Sequence, residues 1–337
     1  MQLPHSFAAN YCRGNMNVRI LLAVLAAAPT FSYADVPLVA GQPIALAGTK
    51  GGFDFLEIDA TKHRLLADHT GNGSLDVIDL ADGKLIKSIP TGSAQGVAVD
   101  EAGGKYYVSV SKQKKFVIVD RETLAVTGEV ALGGPADALA FDPKNGCAYV
   151  GHDDEKELWV VDVKAAKVVA SVPIAEGPEY VIYDAASDRI FQNIKSNDTV
   201  SVISPGTNTV TESWTTKPAA KPHGLAMEAK TNRLFIAGTN GELVVLDAKS
   251  GKVTGSAKIA PGVDQIAFDP GLRRVYCASS SGVISVVQIT DSGATSLGDV
   301  KTAKGAKTLT VDTATHAVWT AYAEGTSAYV LKLDAAK

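Results

Sequence analysis

One pattern recurs seven times along this chain: a short run of mainly apolar residues that ends in an acidic residue. Neighbouring copies of this acid lie 41 to 44 residues apart. The seven acids are Asp59, Asp100, Asp142, Asp184, Glu228, Asp269 and Asp312. A period of about 40 residues is typical of propellers and solenoids, in which each repeat is one structural unit. This repeat limits the possible folds more strongly than the composition does.

Each repeat unit contains four short runs that have the character of β-strands. In the third unit they are "LAFD", "CAYVG", "LWVVD" and "KVVASVPI". The runs are rich in Val, Ile, Tyr and Phe and are separated by Gly, Asn, Asp and Pro, and none has a sustained helical period. Four antiparallel strands in about 40 residues make one propeller blade. We therefore predict an all-β fold, a seven-bladed β-propeller with four antiparallel strands per blade.

The two ends of the repeat region complement each other. The seventh unit stops after its third strand, "AYVLKLD". The segment "PIALAGT" (43–49) precedes the first unit and can supply the missing fourth strand. An N-terminal strand in the last blade would close the ring and leave no open sheet edge to template aggregation. This predicts a single propeller domain over residues 35–337.

Residues 1–34 have the features of a cleaved export signal. Arg19 is followed by the apolar run Ile20–Ala28 and by small residues before a cut near Ala34. The apolar run is far shorter than the roughly 20 residues that a membrane-spanning helix needs, so we expect no transmembrane segment. The first fifteen residues fit no signal pattern, and Met16 is the better start. The sequence therefore predicts a periplasmic or secreted protein.

The repeats resemble those of a known family. The match lies in "GGPADALAFDP", in "AYV" and in the third strand "VVD", and it extends over about residues 43–334. These motifs are similar to the YVTN-type, YncE-like propeller repeats of exported prokaryotic proteins. The resemblance implies a propeller fold and a binding or surface role, without a shared catalytic motif. Ser204 and Gln288 depart from it, because they stand where other units have Asp in the third strand.

The charge of the chain narrows the classes of partner. The net charge is −4. Removal of residues 1–34 takes away Arg13 and Arg19 and no acid, which leaves −6. Proteins that bind nucleic acid through phosphate neutralisation carry a basic patch, whereas the longest basic run here is "KQKK" (112–115). We therefore expect a monomer that binds an unknown protein, a cell-envelope component or a small ligand, and not nucleic acid.

A ring of polar residues is predicted at one end of the central channel. The residue five positions before each repeated acid stands where an inner strand begins, and it is polar in every unit. Because inner strands surround the channel, these side chains can meet at its mouth, on loops held by a rigid scaffold. The predicted binding residues are Asp54, Gln95, Asp137, Glu179, His223, Asp264 and Lys307.

Four carboxylates at one channel mouth raise one another's pKa unless cations offset them. Lys307 and His223 supply part of that charge, and a divalent metal could supply more. Oxygen ligands suit Ca²⁺ or Mg²⁺, and added histidines favour a transition metal. The possible ligands are Asp137, Glu179 and His223, with His69 and His152 in equivalent loops on the same face. A hydrated polar channel and a solvated hairpin loop at His152–Glu155 explain the same residues without a metal.

Two functions remain open at this point. The first is an exported binding protein that presents a rigid acidic face and channel mouth to a protein, an envelope component, a metal or a small ligand. The second is a metal-dependent hydrolase, by resemblance to propeller lactonases, in which the metal polarises a carbonyl and activates water. Glu179, Asp137, Asp54 and His223 would then serve as ligands or as the base. We assign no catalytic residue from the sequence.

Overall fold

Seven antiparallel sheets of four strands form a closed ring in the computed structural model, which describes residues 36–153 and 155–336. Each inner strand contacts the inner strand of the next blade, and the last contacts the first. The prediction of an all-β, seven-bladed propeller with four antiparallel strands per blade is confirmed. The predicted export signal, residues 1–34, lies outside the described residues, as does Asp154 of the acidic loop in the third blade.

The strands occupy equivalent positions in every blade. The inner strands are β3 (Leu56–Asp59), β7 (Ala94–Asp100), β11 (Ala136–Asp142), β15 (Pro178–Asp184), β19 (Pro222–Glu228), β23 (Val263–Asp269) and β27 (Thr308–Asp312). The second strands are β4 (Arg64–His69), β8 (Lys105–Val110), β12 (Cys147–His152), β16 (Arg189–Ile194), β20 (Arg233–Gly238), β24 (Arg274–Ser279) and β28 (Ala317–Glu324). The third strands are β5 (Ser74–Asp79), β9 (Lys115–Asp120), β13 (Glu157–Asp162), β17 (Thr199–Ser204), β21 (Glu242–Asp247), β25 (Val283–Thr290) and β29 (Ser327–Ala335).

The outer strands complete the blades. In the first six blades they are β6 (Leu85–Ile89), β10 (Val126–Ala131), β14 (Lys167–Pro173), β18 (Thr209–Thr215), β22 (Val253–Lys258) and β26 (Gly293–Lys301). The outer strand of the seventh blade consists of two N-terminal segments, β1 (Leu38–Ala40) and β2 (Ile44–Leu46). Two short 3-10 helices, Ala60–Lys62 and Ala229–Thr231, follow the first and fifth inner strands.

Both N-terminal segments pair antiparallel with β29 and close the ring. Ile44 lies opposite Val330, and Leu38 lies opposite Ala335. Between the two segments, the backbone N–H of Gly41 donates to the carbonyl of Lys332 at 2.9 Å. The sequence predicted one strand within residues 43–49, and the structure adds a second segment upstream of it. Closure of the seventh blade by the N-terminus therefore holds, over a longer stretch of chain than expected.

The repeated acid has a local structural cause. Asp142 accepts hydrogen bonds from the backbone N–H groups of Lys144 and Asn145, at 2.9 and 3.3 Å. Asp269 does the same for the turn after its own strand. Short acidic side chains stabilise such turns because they bind the backbone two or three residues ahead. The acids that reveal the repeat are therefore mainly turn-stabilising groups at the ends of the inner strands.

Each blade packs its two faces against different neighbours. Leu65 and Leu66 are adjacent in β4 and fully buried, and they belong to separate hydrophobic clusters. Successive side chains of a strand point to opposite faces of its sheet, so one strand contributes to both interfaces. The inner strands are thereby held from both sides. This packing makes the ring a rigid support for the groups at its axis.

Candidate functional site

The loops that precede the inner strands and the loops between second and third strands lie on one face, which we call the mouth face. Backbone hydrogen bonds join the two sets of loops within a blade. Lys195 donates to the carbonyl of Gly177 at 3.0 Å, and Ser280 donates to that of Gly262 at 3.1 Å. The predicted site residues at the starts of the inner strands are therefore held against the hairpin loops of the same blades.

Three acids, Lys307 and His223 form one continuous chain of polar contacts at the mouth face. Glu179 Oε2 lies 3.0 Å from His223 Nε2, and the same nitrogen lies 3.7 Å from Asp264 Oδ1. Lys307 Nζ lies 2.9 Å from Asp264 Oδ2 and 2.8 Å from Asp54 Oδ1. The chain runs from the fourth blade through the fifth, sixth and seventh to the first. Five of the seven predicted residues are thus brought together in direct contact.

Lys195 is a further member of this cluster that the sequence reasoning missed. Its Nζ lies 2.7 Å from Glu179 Oε1. Lys195 follows β16 directly, in the hairpin loop that faces the start of β15. A search of the hairpin loops for cations opposite the predicted carboxylates would have found it. We call the six residues Asp54, Glu179, Lys195, His223, Asp264 and Lys307 the mouth network.

The network offsets most of the carboxylate charge that the sequence left unbalanced. Burial lowers the pKa of Lys307, but the neighbouring Asp264 and Asp54 outweigh this effect and hold that pKa above its ordinary value. Burial raises the pKa of Glu179, and His223 and Lys195 counteract part of that rise. Lys195 and Lys307 therefore neutralise part of the carboxylate charge at the mouth.

Asp137 differs from the other carboxylates of the mouth. Its side chain is partly buried. Within residues 36–153 and 155–336, no hydrogen bond or ion pair is seen for its carboxylate. Burial raises its pKa well above the ordinary value, and the charges of Asp54 and Glu179 raise it further. Asp137 is thus a partly buried acid at the mouth face whose carboxylate could form an ion pair with an external cation.

Gln95, the remaining predicted residue, stands apart from the ion pairs. Its Oε1 accepts a hydrogen bond of 3.1 Å from the hydroxyl of Thr70, in the hairpin loop of the first blade. It contributes no charge to the mouth. Gln95 therefore offers a neutral reference position at the same place in the repeat as Asp137.

The two candidate histidines of the hairpin loops are engaged elsewhere. His69 is fully buried, with Nδ1 2.7 Å from Asp76 Oδ2 and Nε2 2.9 Å from the carbonyl of Gly51. His152 Nδ1 lies 3.0 Å from Glu157 Oε1, and its ring stacks on Trp159 at 4.2 Å between centroids. Both rings are bound to partners within their own blades. The structure does not bring either of them into the mouth network.

The carboxylates and histidines of the mouth face that the structure describes do not form a metal-binding set. Among residues 36–153 and 155–336, no group of three or more His, Cys, Asp or Glu side chains is arranged to hold a metal ion. Asp137, Glu179 and His223, the possible ligands from the sequence, are therefore not arranged to hold a metal ion together. Both carboxylate oxygens of Glu179 already face Lys195 and His223. The arrangement fits the recognition of cationic groups better than the coordination of a metal.

Comparison with known proteins supports the fold. No family model and no curated protein sequence matches the chain. Hydrazine synthase from Kuenenia stuttgartiensis is 14% identical, with a TM-score of 0.73 over 86% of this chain and 97% of that one. The WD40 repeats of RRP9 are 10% identical, with a TM-score of 0.75 over 89% and 99%. U3-55K is 10% identical, with a TM-score of 0.72 over 87% and 98%.

These structural neighbours are seven-bladed, WD40-like β-propellers. At such low sequence identity, the likeness shows the fold and not a shared function. In the part of the chain that the structure describes, no helix is long and apolar enough to cross a membrane.

Proposed function

We propose that this chain is a binding protein whose mouth face recognises a basic group on a partner protein. The observation that carries the proposal is Asp137, a half-buried carboxylate without a partner among the described residues, beside carboxylates that are already ion-paired. A Lys or Arg side chain of a partner would give Asp137 the opposite charge that it lacks. Rigid loops at the mouth of a propeller suit such recognition.

The setting of this activity is also a proposal. Residues 1–34 support export, so the binding protein would act in the periplasm or outside the cell. The quoted repeat motifs support membership of the YVTN-type, YncE-like propellers, most of which are described as binding or surface proteins. A partner in the cell envelope is consistent with both. The acidic net charge would favour a basic surface on that partner.

Hydrolysis of a lactone has weaker support from the same residues. A metal-dependent hydrolase would use Glu179, Asp137, Asp54 and His223 as ligands or as a base. All of these side chains except Asp137 already contact partners within the mouth network. A metal would have to displace Lys195 or Lys307 from their carboxylates. A binding function requires no such rearrangement, and we therefore favour it.

The test uses residues 35–337 and two short probes, a tri-lysine peptide and a tri-glutamate peptide, in isothermal titration calorimetry at low salt. Tri-lysine should bind and tri-glutamate should not. Asp137→Asn should weaken the binding of tri-lysine by about tenfold, which corresponds to about 1.4 kcal/mol. Gln95→Ala, at the matched position of the second blade, should leave the affinity unchanged.

Different results of this test would reject the binding function or favour the hydrolase. Equal affinity of Asp137→Asn and the unmodified protein for tri-lysine would sink the proposal, as would equal binding of both peptides. If instead the unmodified protein hydrolyses a simple lactone and Asp137→Asn does not, the hydrolase becomes the better assignment.

A further inference from the structure

Two aromatic side chains divide the central channel below the mouth network. Phe55 precedes β3 in the first blade, and Tyr180 lies in β15 of the fourth blade. Their rings stack with centroids 5.3 Å apart. Because these blades are not neighbours in the ring, the two side chains meet across the channel. They separate the polar mouth from the part of the channel that leads to the opposite face, which we call the far face.

A cavity of about 470 Å³ lies in this second part of the channel. Every blade contributes to its wall, and the lining residues begin at Phe55 and Tyr180 and continue towards the ends of the inner strands. None of the mouth network lines it. Sites for small organic molecules are typically concave, about 300–1,000 Å³ in volume and mainly apolar, with a few polar groups. The cavity has the size of such a site and is distinct from the mouth.

The wall of the cavity is aromatic and aliphatic, with one charged group. Phe141 and Phe268 lie on opposite sides of the ring, in the third and sixth blades, and Leu, Ile, Val and Ala side chains fill most of the remainder. The amide of Gln265 is already bound to the backbone of Leu56. Among the lining residues that the structure describes, Glu57 alone carries a charge. Glu57 is therefore the one charged group among these lining residues, beside neutral polar residues such as Thr310 and Tyr183.

Glu57 is an exception within its own repeat. It stands two residues before Asp59, and the equivalent residues of the other six units are uncharged: Ala98, Ala140, Ile182, Ala226, Ala267 and Thr310. The fold therefore does not require a carboxylate at this position. A charged group that the repeat does not need, at the wall of a cavity of this size, points to a ligand.

The surroundings of Glu57 leave its charge uncompensated. Its Oε1 accepts a hydrogen bond of 2.9 Å from the N–H of Ile58. Within residues 36–153 and 155–336, no Lys, Arg or His forms an ion pair with it. Burial raises the pKa of Glu57 to about 7. A cation in the cavity would recover the electrostatic energy that burial takes from the ionised carboxylate.

We propose that this cavity binds a small organic cation, an amine or quaternary ammonium with an apolar body, and that Glu57 is its counter-ion. The apolar body would replace water along the aliphatic wall. The ammonium would lie between the carboxylate and the faces of the neighbouring aromatic rings, which attract cations through their quadrupole. An anionic ligand of the same shape would face the repulsion of Glu57. The cavity therefore selects by charge and by size.

The test compares two probes of matched shape, 4-phenylbutylamine and 5-phenylpentanoate, in calorimetric titrations of residues 35–337 at about pH 8. The amine should bind at least about tenfold more tightly than the carboxylate. Glu57→Gln should reduce the affinity for the amine by about tenfold and remove the preference between the probes. Glu129→Gln, at an exposed acid of the outer strand β10, should leave the affinity for the amine unchanged.

A second variant separates shape from charge. Ala98→Leu fills part of the cavity without altering a charged group, so it should weaken both probes alike. The proposal is overturned if neither probe binds, if both bind equally to the unmodified protein, or if Glu57→Gln binds the amine as tightly as before. Loss of amine binding in Asp137→Asn but not in Glu57→Gln would place the amine at the mouth and also overturn it. None of these outcomes depends on the tri-lysine result, which reports on the other end of the channel.

Discussion

Asp137 lies among carboxylates that have partners and has none itself in the described part of the chain. Its pKa is raised from the ordinary 3.8 by burial and by neighbouring acids. The folded protein therefore holds this proton more tightly than the unfolded chain does. The contribution of Asp137 to the free energy of unfolding is therefore fully present below about pH 4, and it is lost as the pH rises through the pKa of the folded state. At neutral and higher pH, Asp137 costs stability.

We expect Asp137→Asn to raise the melting temperature, and to raise it more at pH 8 than at pH 4. Asparagine keeps the size of the side chain and removes the charge. Differential scanning calorimetry at several pH values measures the difference between variant and unmodified protein. Gln95→Ala should show a difference that does not vary with pH. A pH-independent effect of Asp137→Asn would mean that its carboxylate is not the destabilising group.

The residues of the mouth could be predicted from sequence only where position in the repeat decides their direction. Asp54 and Lys307 occupy the same place at the start of an inner strand, and the structure pairs them. His69 and Lys195 lie in hairpin loops, where direction depends on local partners such as Asp76 for His69. Those partners are specific to one blade, and the repeat therefore gave no information about them.

At the level of strands, one side chain joins three blades. Gln265, in β23, accepts hydrogen bonds through Oε1 from the N–H groups of Leu56 and Leu309, both at 3.1 Å. Its Nε2 donates to the carbonyl of Leu56 at 2.9 Å. The inner strands β3 and β27 have four and five residues, whereas β23 has seven. Leu56 and Leu309 lie in the paired parts of β3 and β27, so the buried amide serves N–H groups on the inner edge of each sheet, where no further strand lies.

We expect Gln265→Leu to destabilise the propeller by about 2–5 kcal/mol, because two buried N–H groups lose their acceptor and each such loss costs about 1–3 kcal/mol. Urea unfolding monitored by circular dichroism measures the change. Gln95→Leu removes a half-buried amide with one hydrogen bond and should cost less than about 1 kcal/mol. Similar costs for the two variants would show that the ring does not depend on the Gln265 amide.

The strands themselves were predictable because turn residues and apolar runs alternate with the period of the blade. The closing strand illustrates the limit of that method. Ile44–Leu46 fits the pattern of a fourth strand, but Leu38–Ala40 has no counterpart in the other units. It forms a strand because β29 extends beyond Leu331 and offers further backbone partners. Pairing of this kind depends on the length of another strand and not on the local sequence.

At the scale of the whole molecule, the repeat determines a ring and the side chains at its axis determine what that ring can hold. Seven copies of one unit predict the number of blades. The cavity depends instead on the sizes of individual side chains that several blades bring together, such as Phe55 and Tyr180. A comparison of equivalent positions across the units would have singled out Glu57. No such comparison could have shown that a cavity lies beside it.

Export is a proposal about the whole chain, and it is based on residues outside the described part. Arg19 and the apolar run Ile20–Ala28 have the pattern of a short signal of the kind that secretion pathways recognise and remove. We expect the full chain, expressed in a bacterium, to accumulate in the periplasm with Asp35 as its first residue. Cell fractionation and mass spectrometry of the intact protein measure both features.

Two variants make that expectation specific. A chain that begins at Met16 should give the same product, because residues 1–15 add nothing to the signal. Leu22→Arg places a charge within the apolar run and should leave the protein uncut in the cytoplasm, since insertion of the signal depends on an uninterrupted apolar segment. Equal amounts of periplasmic product from Leu22→Arg and the unmodified chain would refute the assignment of residues 1–34. The proposed binding of a basic partner would then have to take place in the cytoplasm.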